Sequence, residues 1–205
     1  IMGEGRDEAK GIEIKEWPCC GGTHAANTGM LELIQQHHIK AEDVEVVDIG
    51  TTEIPSCMAP NIRWPKIALE GKFSTWYTVA ACLVDGKVDL ASFASDEVVN
   101  RPAIREMLKR IDIHQLSDYA GRPGRALGDT TYWDITIRLK NGQSFSTRVH
   151  GHGRTLHGQA IVDKYRKLAG AVLSREQVEH SIELILGLEK VRNAREVMDA
   201  VTVRE

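Results

Sequence analysis

The sequence predicts an α+β fold, a mixed and partly antiparallel sheet with helices packed on it and more helices towards its C-terminal end. Three observations carry this. Tyr132 to Leu139 and Phe145 to Val149 alternate apolar and polar residues around Asn141-Gly142, the pattern of a β-hairpin with a type I′ turn. Val44 to Gly50 is rich in β-branched residues, which favour a pleated strand. Apolar residues recur at helical spacing from His24 to about His38, from Lys72 to Val84 and again after Gln159.

In chain order, Gly11 to Trp17 alternates Ile12 and Ile14 with polar residues and reads as a short strand ended by Pro18. Cys19-Cys20-Gly21-Gly22 is a turn, and Thr23 is placed to cap the first helix, whose inner side carries Ala26, Met30, Leu31, Leu33 and Ile34. After the strand over 44–50, Pro55, Pro60 and Pro65 impose an irregular connection. The second helix opens at Lys72, is anchored by Phe73, Trp76, Tyr77, Ala80 and Leu83, and closes at Asp85-Gly86. Asp96 to Arg110 is helical with a break at Pro102, Ile111-Asp112-Ile113 starts a strand, and Gly121 to Gly128 is a Gly, Pro and Arg rich loop. Beyond the hairpin and the loop at His150 to Gly153, helices are expected over Gln159 to Leu173, Ser174 to Leu188 and Ala194 to Val201, with Ser174 and Gln177 forming a capping box. These elements divide into a polar leader over 1–10, read as the end of a missing N-terminal region, an α/β domain over 11–173, and a helical segment over 174–205 that could pack on a separate helical domain.

The chain has 205 residues, 42% hydrophobic and 27% charged, enough for a sizeable core. Lys and Arg total 26 against 29 Asp and Glu, so a net charge of −3 provides no broad basic field for nucleic acid or anionic lipid. No apolar run reaches membrane-spanning length, the charged start is unlike a secretory signal, and the four cysteines are not spaced as a disulfide framework. A cytoplasmic protein is expected, with neither nucleic acid nor membrane as partner.

Chemistry concentrates in three blocks. Lys15-Glu16-Trp17-Pro18-Cys19-Cys20-Gly21-Gly22-Thr23-His24 sets a cation, two glycines and a histidine at a helix N-terminus, where backbone N–H groups and the helix dipole attract carboxylates. The same dipole disfavours imidazolium and would keep His24 neutral, as a general base must be; the alternative is a solvated Lys15 and a His24 that merely begins the helix. Lys72-Phe73-Ser74 places a cation at the start of the second helix, where it could balance a carboxylate or a developing enolate, or simply lie in solvent. His150-Gly151-His152-Gly153-Arg154 offers imidazoles and a guanidinium, but no spacing that pairs with Cys19 and Cys20 as a zinc site, so no metal is expected; Arg154 gripping an anion, or simply a polar turn after the hairpin, is the better reading. The motifs GxGxxG, GxxxxGK, GxSxG and HExxH are absent, which leaves acid and base chemistry ahead of nucleotide, acyl-transfer or zinc-protease chemistry.

The Lys15–His24 block, Lys72-Phe73-Ser74 with Tyr77-Thr78-Val79-Ala80 and Asp85-Gly86, and Gly151-His152-Gly153 leading to Lys164-Tyr165 together resemble the C-terminal half of the MmgE/PrpD family. The resemblance implies the smaller α/β domain of a two-part, cofactor-independent enzyme, closing over a cleft against an N-terminal helical half and assembling as a homodimer. It implies a lyase of the 2-methylcitrate dehydratase type that abstracts a proton next to a carboxylate of a small polycarboxylate. An epimerase or decarboxylase on the same scaffold is the alternative, and a fragment that only folds or dimerises is another; this chain alone is expected to be inactive. His24 and Lys72 are the implied catalytic residues, and Lys15, Cys20, Gly22 and Arg154 the implied substrate-binding ones. The family's usual Asn-Pro element after the glycine turn is replaced here by Arg154-Thr155-Leu156-His157-Gly158.

Overall fold

The sheet takes its order from one central strand. In the computed structural model, which describes residues 14–52, 62–116, 131–151, 153 and 156–203, β1 (Val44–Thr51) lies between β2 (Ile111–Gln115) and β3 (Tyr132–Leu139), and β4 (Ser144–His150) completes the order β2-β1-β3-β4. The β1–β2 pair is parallel, and the β1–β3 and β3–β4 pairs are antiparallel, so the sheet is mixed as expected. Alternation assigns the faces: Val47, Ile49, Ile111, Trp133, Ile135, Ile137 and Val149 are buried on one side. Asp48, Asp134, Thr136 and Arg148 sit on the other, where Arg148 donates two hydrogen bonds to Asp134, at 2.6 and 2.7 Å.

Helix α1 (His24–His37) packs on β3 and β4, and α3 (Thr75–Asp85) packs against α1, β2 and α5 (Pro102–Leu108). Close approach of α1 depends on Gly29, where a methyl group would stand 2.4 Å from Ile135 Cδ1 and 3.0 Å from Val149 Cγ2. Helix α3 is buried nearly all round, consistent with its run of Trp76, Tyr77, Val79, Ala80, Ala81 and Cys82, and ends on Gly86 at φ 67°. Two short helices, α2 (Ala68–Gly71) and α4 (Asp96–Val99), flank it, and a bidentate Arg101–Asp85 pair at 2.7 and 3.0 Å ties its C-terminal end to the start of α5.

Several expectations need correction. Residues 14–17 form no strand; they belong to a bent loop that buries Trp17, and 11–13 lie outside the described residues. Thr23 does not cap α1 with its side chain, because Gly21–Thr23 is a 3₁₀ turn running straight into the helix and the Thr23 hydroxyl donates to the Cys20 carbonyl at 2.8 Å. The second helix begins at Thr75 with Ser74 as its cap, accepting from the Tyr77 N–H at 3.1 Å, so Lys72 and Phe73 precede it. The hairpin turn is not type I′, which needs positive φ at both central residues: only Gly142, at φ 87°, has it. The Gly142 N–H donates to Leu139 O at 2.9 Å and the Leu139 N–H to Gln143 O at 2.8 Å, giving a three-residue loop with a glycine bulge. Pro55, Pro60 and the loop over 121–128 lie outside the described residues.

The chain divides into two compact units, one within Lys15–Thr155 and the other over Leu156–Glu205. The second holds α6 (Gln159–Ala169), α7 (Arg175–Leu186) and α8 (Ala194–Ala200). Its core gathers Leu173, Val178 and Ile182 with Val162, Tyr165, Ala169 and Val201, so the helix over 159–169 groups with the helices that follow it rather than with the sheet. Helix α6 stops at Ala169 instead of Leu173, and Ser174 and Gln177 form the expected capping box on α7. Among the described residues no helix is long and apolar enough to cross a membrane.

Candidate functional site at the N-terminal end of α1

The three blocks noted in the sequence meet at one place in the sheet-bearing unit. His24 is the first residue of α1 and is 4% exposed. The loop before it folds back so that Trp17, 6% exposed, packs against the His24 ring with centroids 5.0 Å apart and planes at 78°. The Cys20 N–H donates to the Lys72 carbonyl at 2.8 Å, which joins the first block to the second. The third arrives through Gly153: a methyl group there would stand 2.5 Å from Thr28 Oγ1 and 3.0 Å from Ala25 Cα, so this loop lies directly on the first turns of α1.

Beneath this junction lies a polar cluster. Cys19 Sγ is 3.1 Å from Thr23 Oγ1, and Asn27 Nδ2 donates to the same sulfur at 3.8 Å. On its other side the Asn27 carbonyl oxygen faces the Cys82 thiol of α3 at 4.0 Å. Burial pushes the Cys19 thiol up to about 11, with the Thr23 hydrogen bond and the Lys15 charge pulling the other way. Cys82, wholly enclosed, is pushed up further by the same cause. Burial thus favours the neutral form of both thiols; Cys19 fastens the loop to α1, and Cys82 faces α1 from α3.

Of the residues expected to form the site, His24, Lys15, Cys20, Gly22 and Lys72 all belong to this junction. Lys15 is exposed, Lys72 and Cys20 are half-buried, and Gly22 is buried inside the 3₁₀ turn. Lys72 caps the end of α2, its N–H on Leu69 O at 3.1 Å, and its ammonium lies 5.9 Å from the Phe93 ring centroid. Phe73 does not anchor it; that side chain is 38% exposed, and the packing comes from Phe93, which rests on Tyr77 with centroids 5.7 Å apart. The backbone donors are also fewer than the sequence suggested. The N–H of Cys20 is spent on Lys72, that of Thr23 on Cys20, and that of His24 on Gly21; among the described residues those of Gly21 and Gly22 remain as the turn's donors. Arg154 and His152 lie outside the described residues.

The roles of Trp17, Asn27 and Gly153 were not visible in the sequence as site features. Asn27 sits three residues after His24, a spacing that puts it on the same side of the helix, but only the fold brings the two thiols to it. Among the described residues, Asp48, Asp112 and His114 place ligand-type atoms within 4.8 Å of one another, on the outer face of the β1–β2 pair and so across the sheet from α1. His114 Nδ1 to Asp48 Oδ1, at 3.4 Å, accounts for much of that approach.

The mixed sheet, with α1 covering one face and a histidine at that helix's start, defines an α+β domain. Residues 17–190 match the MmgE/PrpD C-terminal domain, and the chain belongs to that family. It is 33% identical to mouse cis-aconitate decarboxylase over 190 residues and 28% identical to the human enzyme over the same length, in both cases covering 89% of this chain and 38% of the relative. It is 23% identical over 199 residues to cis-aconitate decarboxylase of Aspergillus terreus, covering 92% of this chain and 40% of that protein. The chain thus spans about two fifths of the length of these curated relatives. It is a domain of a lyase-containing enzyme family.

Proposed function

We propose that this chain is the α/β domain of a lyase that acts on a small polycarboxylate by proton transfer at a carbon next to a carboxylate, with cis-aconitate as its substrate. The convergence of the Lys15, Lys72 and Gly153 segments at His24 carries this reading. Decarboxylation of such an alkene breaks one C–CO2 bond. The electron pair moves into the adjacent conjugated system, where a nearby carboxylate and cation hold the developing charge, and a proton is then delivered to carbon. His24, at the helix start, is the group that handles the proton. Lys15 and Lys72 balance carboxylates, and the N–H groups of Gly21 and Gly22 are donors a carboxylate oxygen can use. Cys20 contributes by tying the turn to Lys72 through its N–H, and Arg154 is the guanidinium that would reach the substrate from the glycine loop.

The names of the relatives favour decarboxylation over the dehydration first expected, since the resemblance alone ranks no member of the family above another. The remaining acid and base groups would come from an N-terminal half, with which this domain closes a cleft and forms a homodimer in the cytoplasm. None of Cys19, Cys20 and Cys82 is in a disulfide, which suits that compartment.

The test is product analysis by carbon NMR in deuterated water, using the chain alone and mixed with an N-terminal part of the length found in the relatives. Loss of carbon dioxide with one deuteron gained supports the reading. Hydration, or exchange without net change, would move the assignment to a dehydratase or an epimerase. Full activity in His24→Ala would reject the role given to His24.

A further inference from the structure

Within the reading just given, His24 handles a proton, and its ring must be held at a fixed orientation to do so. A side chain that packs on that ring comes from outside α1. Trp17 comes from the loop before the helix, is 6% exposed, and meets the imidazole edge to face with centroids 5.0 Å apart and planes at 78°. Trp17 is itself clamped from behind: Cys19, two residues on, is fastened by Thr23 at 3.1 Å and by Asn27 at 3.8 Å, and Cys20 by the Lys72 carbonyl at 2.8 Å. An indole offers a rigid plane with only two rotatable side-chain bonds, so a clamped backbone fixes its ring position. We infer that Trp17 is a positioning residue for His24, an aromatic wall that sets the imidazole's rotamer and keeps water from that side of it.

This places the role in the loop and not in the helix. Helix α1 supplies the histidine, and the Lys15–Cys20 segment decides where its ring points. A residue acting in this way affects the step in which His24 moves a proton and leaves carboxylate binding by the lysines unchanged. The loss should therefore fall on kcat and not on KM.

The experiment compares Trp17→Leu with Trp17→Phe. In carbon-proton NMR of the chain itself, the His24 ring signals, identified by their loss in His24→Ala, should carry a ring-current shift that Trp17→Phe largely keeps and Trp17→Leu abolishes. In the preparation that turns over cis-aconitate, Trp17→Leu should lower kcat by about tenfold or more with KM changed less than about twofold, and Trp17→Phe should recover most of it. Unchanged His24 signals in a folded Trp17→Leu, or an equal kcat, would overturn the inference. If Trp17→Leu fails to fold, Trp17→Phe decides: the inference requires a small but measurable change in both the ring signals and kcat, and no change in either would overturn it. His24→Ala separates the two claims, because full activity there sinks the proposed function, whereas loss there with an indifferent Trp17 sinks this inference alone.

Discussion

The Cys20 N–H and the Lys72 carbonyl, from segments far apart in the chain, meet in a 2.8 Å hydrogen bond that seams the turn before α1 to the turn after α2. This seam offers a clean test, because Cys20 already has φ −60° and ψ 135°, values a proline can adopt. Cys20→Pro removes the donor to the Lys72 carbonyl together with the thiol, and Cys20→Ala controls for the thiol. A stability loss of about 1–2 kcal/mol is expected from urea unfolding, against little change in Cys20→Ala. Weaker cis-aconitate binding in the proline variant should accompany it.

Gly153 should tolerate no side chain. Alanine there faces Thr28 Oγ1 at 2.5 Å and backbone at Ala25, and it must also hold φ 80°. A loss of about 2–4 kcal/mol is expected, combining overpacking with left-handed backbone strain. Gly151→Ala, at φ 59° with no neighbour within 4 Å, should cost only the backbone part, about 1 kcal/mol. Thermal melting of the two variants side by side measures the difference.

Gly29 tests the seat of α1 on the sheet. Alanine would favour the helix by about 1 kcal/mol, yet its methyl would lie 2.4 Å from Ile135 Cδ1. Three side chains must give way, so net destabilisation is expected, with partial recovery in Gly29→Ala/Ile135→Val. A more stable single variant in chemical denaturation would show that the helix can lift off the sheet at no cost.

The buried thiols give a pH prediction whose sign is fixed. Cys19 is raised from 9.0 to about 11, so the unfolded chain ionises first and holds fewer protons than the fold above pH 9. Stability is therefore complete below about 9 and falls as pH rises towards 11. Tyr77, whose hydroxyl donates to the Ser92 carbonyl and which burial pushes up to about 12, adds to the same alkaline decline. Urea midpoints between pH 8 and 11 should fall, with a shallower slope in Cys19→Ala. A thiol reagent should label Cys20 well before Cys19 or Cys82.

What the sequence revealed and what it hid divide along a physical line. Strands β1, β3 and β4, helices α1, α3 and α7, and the Ser174 cap were legible because periodicity and capping act over a few residues. Lys72 was placed at a helix start because Phe73 and Tyr77 keep helical spacing. The Ser74 hydroxyl, accepting from the Tyr77 N–H, instead claims the cap and leaves Lys72 outside. The hairpin turn differs from type I′ because Asn141-Gly142 fits two turn types, and only the Gln143 carbonyl accepting from Leu139 selects the longer loop. His24 and its block stood out through residue type. Trp17, Asn27 and Gly153 did not, since their partners are set by tertiary contact alone.

Strand order has a consequence for how the chain acquires its shape. Both hydrogen-bonding neighbours of β1 come after it, β2 beyond the whole run of α2 to α5 and β3 later still. During synthesis the apolar Val44–Thr51 ribbon therefore emerges with two open edges and waits for each in turn, while the Tyr132–His150 hairpin can form by itself and dock as a unit. Long-range closure of this kind is slow relative to local pairing. The His24 junction, which needs Gly153 from beyond that hairpin, is complete only once that segment has joined α1.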